Sequence, residues 1–149
     1  MIVNGRTLWA RAPLNPMFDH KRKEHGVSYG LSEAGADIRI REDVLLHPFK
    51  RFTLASSLEE FIMPPDLVGI VHDKSTWIRQ GLVVGNTVVE PGWRGRSLTL
   101  ELFYFGWCPL RVPAGAGIAQ VIFHQLIEPR AYAGKYQNAV EGPTHAKLD

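Results

Sequence analysis

Apolar residues along the chain come in short runs bounded by Gly, Pro, Asn or Asp. The pattern is clearest at residues 97–105. There Leu98, Leu100, Leu102 and Tyr104 fall on one side of an extended chain, and Thr99, Glu101, Phe103 and Phe105 on the other. That alternation predicts a strand with one buried face. Similar runs at 36–40, 43–46, 51–55, 67–72, 82–89 and 118–126 predict further short strands. Helical periodicity is weak, and only residues 75–80 read as a helical turn, with Ser75 or Asp73 placed to cap it and Gly81 to end it. Short strands at this spacing predict an all-β domain, a barrel or a sandwich.

Composition narrows this picture. With 149 residues, 45% hydrophobic, the chain accommodates one globular domain and not two. Residues 1–30, with the basic run Lys21, Arg22, Lys23 and with Pro13 and Pro16, read as an N-terminal arm or surface loop. Residues 131–149 hold Gly134, Gly142 and Pro143 among few apolar positions and read as a flexible tail. A net charge of +2 gives no basis for a nucleic-acid or membrane partner. The single cysteine, Cys108, excludes an intrachain disulfide and a multi-cysteine metal centre, and it fits a reducing compartment, so a cytoplasmic location is expected. No run of about 18 apolar residues is present to span a bilayer.

Several chemistries lack their residues. The six histidines show no HExxH or HxH spacing, and no PCxxC accompanies Cys108, so zinc-dependent deamination of the His/Cys/Cys type has no ligand set. P-loop, dinucleotide and nucleophile-elbow patterns are missing too. What the chain does offer is Glu101, a carboxylate on the strand face shared with Phe103. It is either solvated at the strand's end or partly desolvated with a raised pKa, suited to taking a proton from water. A second cluster runs from Lys74 through Ser75, Thr76, Trp77 and Ile78 to Arg79, with Ser75 and Arg79 one helical turn apart. Taken alone, it is a capped surface turn or a place where cation, hydroxyl and amide groups converge on an anion. Glu90 opens a tight Pro-Gly turn, and Tyr132, Lys135, Tyr136 and Gln137 put a cation and aromatic hydroxyls in the tail.

In this order the pieces resemble the deoxycytidine triphosphate deaminase branch of the trimeric deoxyuridine triphosphatase superfamily, from about Leu31 to Pro143. Ala34-Gly35-Ala36-Asp37 is similar to the family's AGxD motif, and Lys74-Ser75-Thr76-Trp77-Ile78-Arg79 to RSSxAR. Glu90-Pro91-Gly92-Trp93-Arg94-Gly95 resembles DPGxxG, and Leu98-Thr99-Leu100-Glu101-Leu102 resembles TLEL. Pro113-Ala114-Gly115, Ile118-Ala119-Gln120 and Gly134-Lys135-Tyr136-Gln137 follow, like PGM, IAQ and SKYQ. The resemblance implies a distorted jelly-roll that forms a homotrimer, with active sites between subunits and a nucleoside triphosphate bound with magnesium.

It further implies hydrolytic deamination of dCTP to dUTP without zinc, Glu101 being the general base and Ser75 and Arg79 assisting it. Lys74, Thr76, Trp77, Ile78 and Gln120 become substrate contacts, with Lys74 at a phosphate-binding position. Backbone groups around Thr99 and Leu100 would read the pyrimidine, Glu90 would hold the sugar, and Tyr132 and Lys135 would bind phosphates. The magnesium would ride on the triphosphate, with no direct protein ligand. Four departures stand out: Glu90 for Asp, Lys74 for Arg, Ala139 for a second tail Gln, and one extra residue between Gly95 and Glu101. A dUTP diphosphatase, a bifunctional enzyme forming dUMP from dCTP, and a non-catalytic nucleotide-binding regulator are the alternatives. Against the diphosphatase, the chain lacks a C-terminal Gly-rich motif with Arg and Phe.

Overall fold

A computed structural model describes residues 1–148. Its strands are β1 (Ile2–Val3), β2 (Leu14–Asn15), β3 (Lys21–Glu24), β4 (Val27–Leu31), β5 (Ala36–Arg39), β6 (Val44–Leu46), β7 (Phe52–Ser56) and β8 (Glu60–Ile62). They continue with β9 (Leu67–Asp73), β10 (Leu82–Val84), β11 (Val88–Val89), β12 (Arg94–Gly95), β13 (Thr99–Tyr104), β14 (Leu110–Val112) and β15 (Gly117–Gln125). Two short helices interrupt them, α1 (Gly5–Arg11) and α2 (Ser75–Ile78). The main sheet runs β11-β9-β15-β5-β4-β3, with β1 also paired to β15. Three smaller sheets, β10-β13-β7, β12-β8-β2 and β14-β6, complete the all-β architecture. No helix of the described residues is long and apolar enough to cross a membrane.

The predicted strands appear with small shifts of boundary, except that 82–89 breaks in two. β10 joins β13 and β11 joins β9, so the Gly85-Asn86-Thr87 link carries the chain from one sheet to another. Residues 1–30, expected as an arm, contribute β1, α1, β2, β3 and β4. The helix α1 escapes a periodicity search because Leu8 is its one buried residue; Ala12 then closes it in the left-handed conformation, φ 43°. All four residues of β3 are exposed, so nothing alternates; its ladder to β4 is backbone pairing alone.

The core joins the sheets through Phe123 of β15, Phe61 of β8, Ile38 of β5 and Leu100 and Leu102 of β13, all essentially inaccessible to solvent. A charged pair, Arg39 with Glu59, lies within it. Glu59 accepts hydrogen bonds from the Arg39 backbone N–H (2.8 Å) and Nε (2.7 Å), and the Arg39 guanidinium covers the Tyr29 ring at 4.6 Å. Burial pushes the Glu59 carboxyl above its ordinary pKa against the pull of Arg39. Glu59→Ala would leave the guanidinium buried without its counter-charge. Chemical denaturation should show a loss of about 3–5 kcal/mol, and a loss under about 1 kcal/mol would contradict this role.

Candidate active site

The strand β13 is antiparallel to β7 on one side, with Glu101 opposite Leu54, and to β10 on the other. Its alternation is the one expected: Leu100, Leu102 and Tyr104 enter the core, and Thr99 and Glu101 face outward into a cavity of about 620 Å³. Phe52 and Leu54 of β7, Val88 and Glu90 beside β11, and Trp93 form other walls. The β10 ladder stops at Val84, opposite Leu102, and Gly85 N–H then donates to Glu101 O at 2.7 Å. Beyond that bond no strand follows β13 on this side along Leu100 and Thr99 among the described residues. The cavity therefore has a carboxylate beside an open strand edge.

Glu101 is half-buried, and desolvation raises its pKa; a hydrogen bond from its own backbone pulls the other way. Thr99 Oγ1 accepts a hydrogen bond from Thr144 N–H at 2.9 Å. The Leu100 side chain is in the core, so any part it takes in recognition is through its backbone. Glu90 is exposed at the cavity wall.

Residues 132–144, part of the stretch expected as a flexible tail, dock along the 91–99 segment and close the cavity's far side. Tyr132 N–H donates to Pro91 O (2.7 Å), Trp93 Nε1 to Tyr136 O (2.7 Å), Arg94 N–H to Gln137 Oε1 (2.7 Å) and Arg96 N–H to Ala139 O (2.8 Å). Gln137 donates in turn to Gly92 O and Tyr132 O, both at 3.0 Å. Gly95 has no side chain where the Trp93 ring lies, so a Cβ there would strike the indole. Tyr132, Tyr136, Ala139, Thr144 and His145 thus become walls of the cavity. Lys135 is exposed, with its Nζ 5.8 Å from the centroid of the Tyr136 ring.

The cluster at 74–79 is elsewhere, because none of these residues lines that cavity. Its helical turn is α2, with Lys74 at the N-cap position, and Gly81, φ +87°, follows it. Neither Asp73 nor Ser75 caps it: Asp73 Oδ1 instead accepts from Val84 N–H at 2.5 Å and ties the loop's two ends together. Trp77 is buried, its Nε1 donating to Gly117 O at 2.7 Å, while Ser75, Thr76, Ile78 and Arg79 are exposed. Lys74 Nζ is ion-paired with Asp37 at 2.5 Å. Gln120, half-buried on β15, donates to Ser32 Oγ at 2.9 Å. Sequence reasoning missed Phe52 and Leu54, since they reach Glu101 only through the β7–β13 pairing, and nothing local to 52–54 points there.

A sequence profile described as dCTP deaminase-like matches residues 15–126. The chain belongs to that family. It is 33% identical to a dCTP deaminase of Campylobacter curvus, over 93% of this chain and 91% of that protein. With a dCTP deaminase of Campylobacter lari it shares 38% identity over 74% of this chain and 77% of the relative. Among solved structures, the EIAV dUTPase superposes with a TM-score of 0.56 at 21% identity, covering 71% of this chain and 88% of that one. A mutant dUTPase from phage phi11 of S. aureus, described for its coordination of a structural Mg(II) ion, gives a TM-score of 0.58 at 15% identity, covering 77% and 88%. The expected fold is therefore shown as the dUTPase fold.

Proposed function

We propose that the chain catalyses hydrolytic deamination of dCTP to dUTP and ammonia, with Glu101 as general base, in an active site completed by a second copy within a homotrimer. The observation that carries the reading is the half-buried Glu101 beside the open edge of β13, in a chain of the dCTP deaminase-like family. Ionised Glu101 takes a proton from water as the oxygen adds to cytosine C4, and the proton passes to ring N3. Glu101 then takes the proton of the adduct's C4 hydroxyl and delivers it to N4, and the C4–N4 bond breaks to release ammonia. The C4–O bond remains as the uracil carbonyl. Backbone groups of Thr99 and Leu100 read the pyrimidine edge, and Glu90 accepts from the sugar hydroxyl.

Ser75 and Arg79 are exposed and do not line their own subunit's cavity. In a closed threefold assembly they reach the neighbour's, where they donate to the charge developing on the adduct. Thr76 and Ile78 are exposed beside them and Trp77 anchors the turn, while Gln120 contacts the substrate and Tyr132 and Lys135 bind its phosphates. The described residues contain no group of three or more His, Cys, Asp or Glu placed to hold a metal ion. Magnesium, when bound, would ride on the phosphate oxygens and neutralise the triphosphate.

Because burial raises the Glu101 pKa and the base must be ionised, the acid limb of the kcat/KM profile is expected above the ordinary glutamate value. A limb at or below that value would contradict Glu101 as the base. Incubation with dCTP and magnesium, scoring ammonia, dUTP, dUMP and pyrophosphate together, tests the function. Glu90 is one methylene longer than the aspartate of the triphosphatase motif. It displaces a carboxylate by about 1 Å, enough to cost about 10²-fold in directing water at a phosphate. The expected products are dUTP and ammonia with little pyrophosphate. Rapid formation of dUMP from dCTP would establish the bifunctional reaction, and turnover of dUTP without ammonia from dCTP would overturn the deaminase reading.

A further inference from the structure

The cation that opens the α2 turn is already engaged inside the subunit. Lys74 Nζ donates to Asp37 Oδ2 at 2.5 Å and to Ser28 Oγ at 3.2 Å. Its side chain is 11% exposed and that of Asp37 is 4% exposed, so the pair is nearly closed to solvent. Asp37 belongs to β5 and Ser28 to β4, whereas Lys74 follows directly on β9, with β15 lying between β9 and β5. The side chain therefore ties the start of α2 across β15 to two other strands of the main sheet. Trp77 makes the second tie, through its hydrogen bond to Gly117 O of β15. Ser75, Thr76, Ile78 and Arg79 are left exposed between and beyond these two anchors.

Electrostatics decides how freely Lys74 can leave. The other oxygen of Asp37, Oδ1, is buried without a hydrogen-bond partner, so Lys74 and Ser28 Oγ supply the polar partners of this carboxylate. A lysine that swung out to a phosphate would strand a buried charge, a costly state in a low-dielectric interior. Arginine at the same place could hold a carboxylate and a second anion on separate nitrogens of its fork; the compact ammonium of lysine has no second, spatially separate arm.

We infer that Lys74 is a positioning residue, which through Asp37 and Ser28 fixes the α2 turn that presents Ser75 and Arg79, and not a ligand of the nucleotide's phosphates. The inference rests on the proposed reading of Ser75 and Arg79 as groups that assist deamination. It predicts that the pair governs the rate and the order of the turn, while affinity for a polyphosphate is indifferent to it.

The test compares wild type, Lys74→Met and the double variant Lys74→Met/Asp37→Asn, which removes both charges at similar volume and so keeps the fold if the single variant loses it. Inorganic tripolyphosphate with magnesium is used as a competitive inhibitor of dCTP turnover, its binding is measured directly by calorimetry, and amide hydrogen exchange is followed across 74–79. In the double variant kcat should fall by about 10-fold or more, since small displacements of assisting groups are expensive. Exchange across Ser75 to Arg79 should rise by about 10-fold or more. The tripolyphosphate dissociation constant should stay within about twofold of wild type if no phosphate contact is lost. A dissociation constant weakened by about 10-fold or more would make Lys74 a phosphate ligand and overturn the inference. Unchanged kcat and exchange would overturn it as well. Should the wild type fail to deaminate dCTP, the proposed function fails, while the exchange and calorimetry still decide whether the pair holds the turn.

Discussion

Glu101→Gln is expected to lower dCTP turnover by about 10²- to 10⁴-fold while nucleotide binding is largely kept. Glutamine has the shape and hydrogen-bonding reach of glutamate and cannot take a proton. The cavity wall formed by Thr99, Leu54 and Phe52 is untouched, so calorimetry with dCTP should report an affinity near that of wild type. Stability should move the other way. The folded state raises the Glu101 pKa, so it favours the neutral carboxyl; that stabilisation is complete below the unfolded pKa and is lost as pH rises through the folded one. The neutral glutamine keeps it at pH 7, so the variant should melt no lower than wild type there. A Gln variant that deaminates at near the wild-type rate would remove Glu101 from the chemistry.

Ending the chain after Arg130 is expected to lower kcat/KM for dCTP by about 10²-fold or more, the scale of effect seen when groups that position a substrate are lost. Truncation takes away Tyr132, Tyr136, Ala139, Thr144 and His145, which are one side of the cavity, and opens Glu101 to bulk water. It also strips Trp93 Nε1 of its acceptor and Arg94 and Arg96 of the acceptors for their backbone amides. A lower melting temperature should accompany the kinetic loss. To separate the two, kcat/KM is measured well below the melting transition, where a truncated protein as active as wild type would mean that the tail is dispensable to the site.

Much of this was legible because alternation on a strand is a local property. The spacing of Leu98, Leu100, Leu102 and Tyr104 assigned the buried face of β13, and by parity it put Glu101 on the other one. That Phe52 and Leu54 meet this face was not legible, because they lie far from residue 101 in sequence and come to it through the β7–β13 pairing. The tail looked loose because its apolar content is low, yet it is held by hydrogen bonds, several of them through the Trp93, Gln137 and Thr99 side chains, and hydrogen bonds leave no apolar periodicity. For the same reason the all-polar β3 left no mark in the pattern. In the 74–79 cluster, spacing placed Ser75 and Arg79 on one turn correctly, but it had no means of showing that Asp37 had claimed the charge of Lys74.

The account turns on one site being built from Glu101 of one subunit and Arg79 of another, and complementation between two inactive chains tests it most directly. Glu101→Gln and Arg79→Ala chains are co-expressed with different tags, the mixed assemblies are isolated, and ammonia release from dCTP is measured beside each parent. In every isolated mixed trimer one of the three subunit boundaries pairs an intact Glu101 with an intact Arg79, so deamination should recover to about a third of the wild-type rate. If the mixed assemblies release ammonia no faster than the two inactive parents, Glu101 and Arg79 do not meet across a subunit boundary, and the shared deaminase site is contradicted.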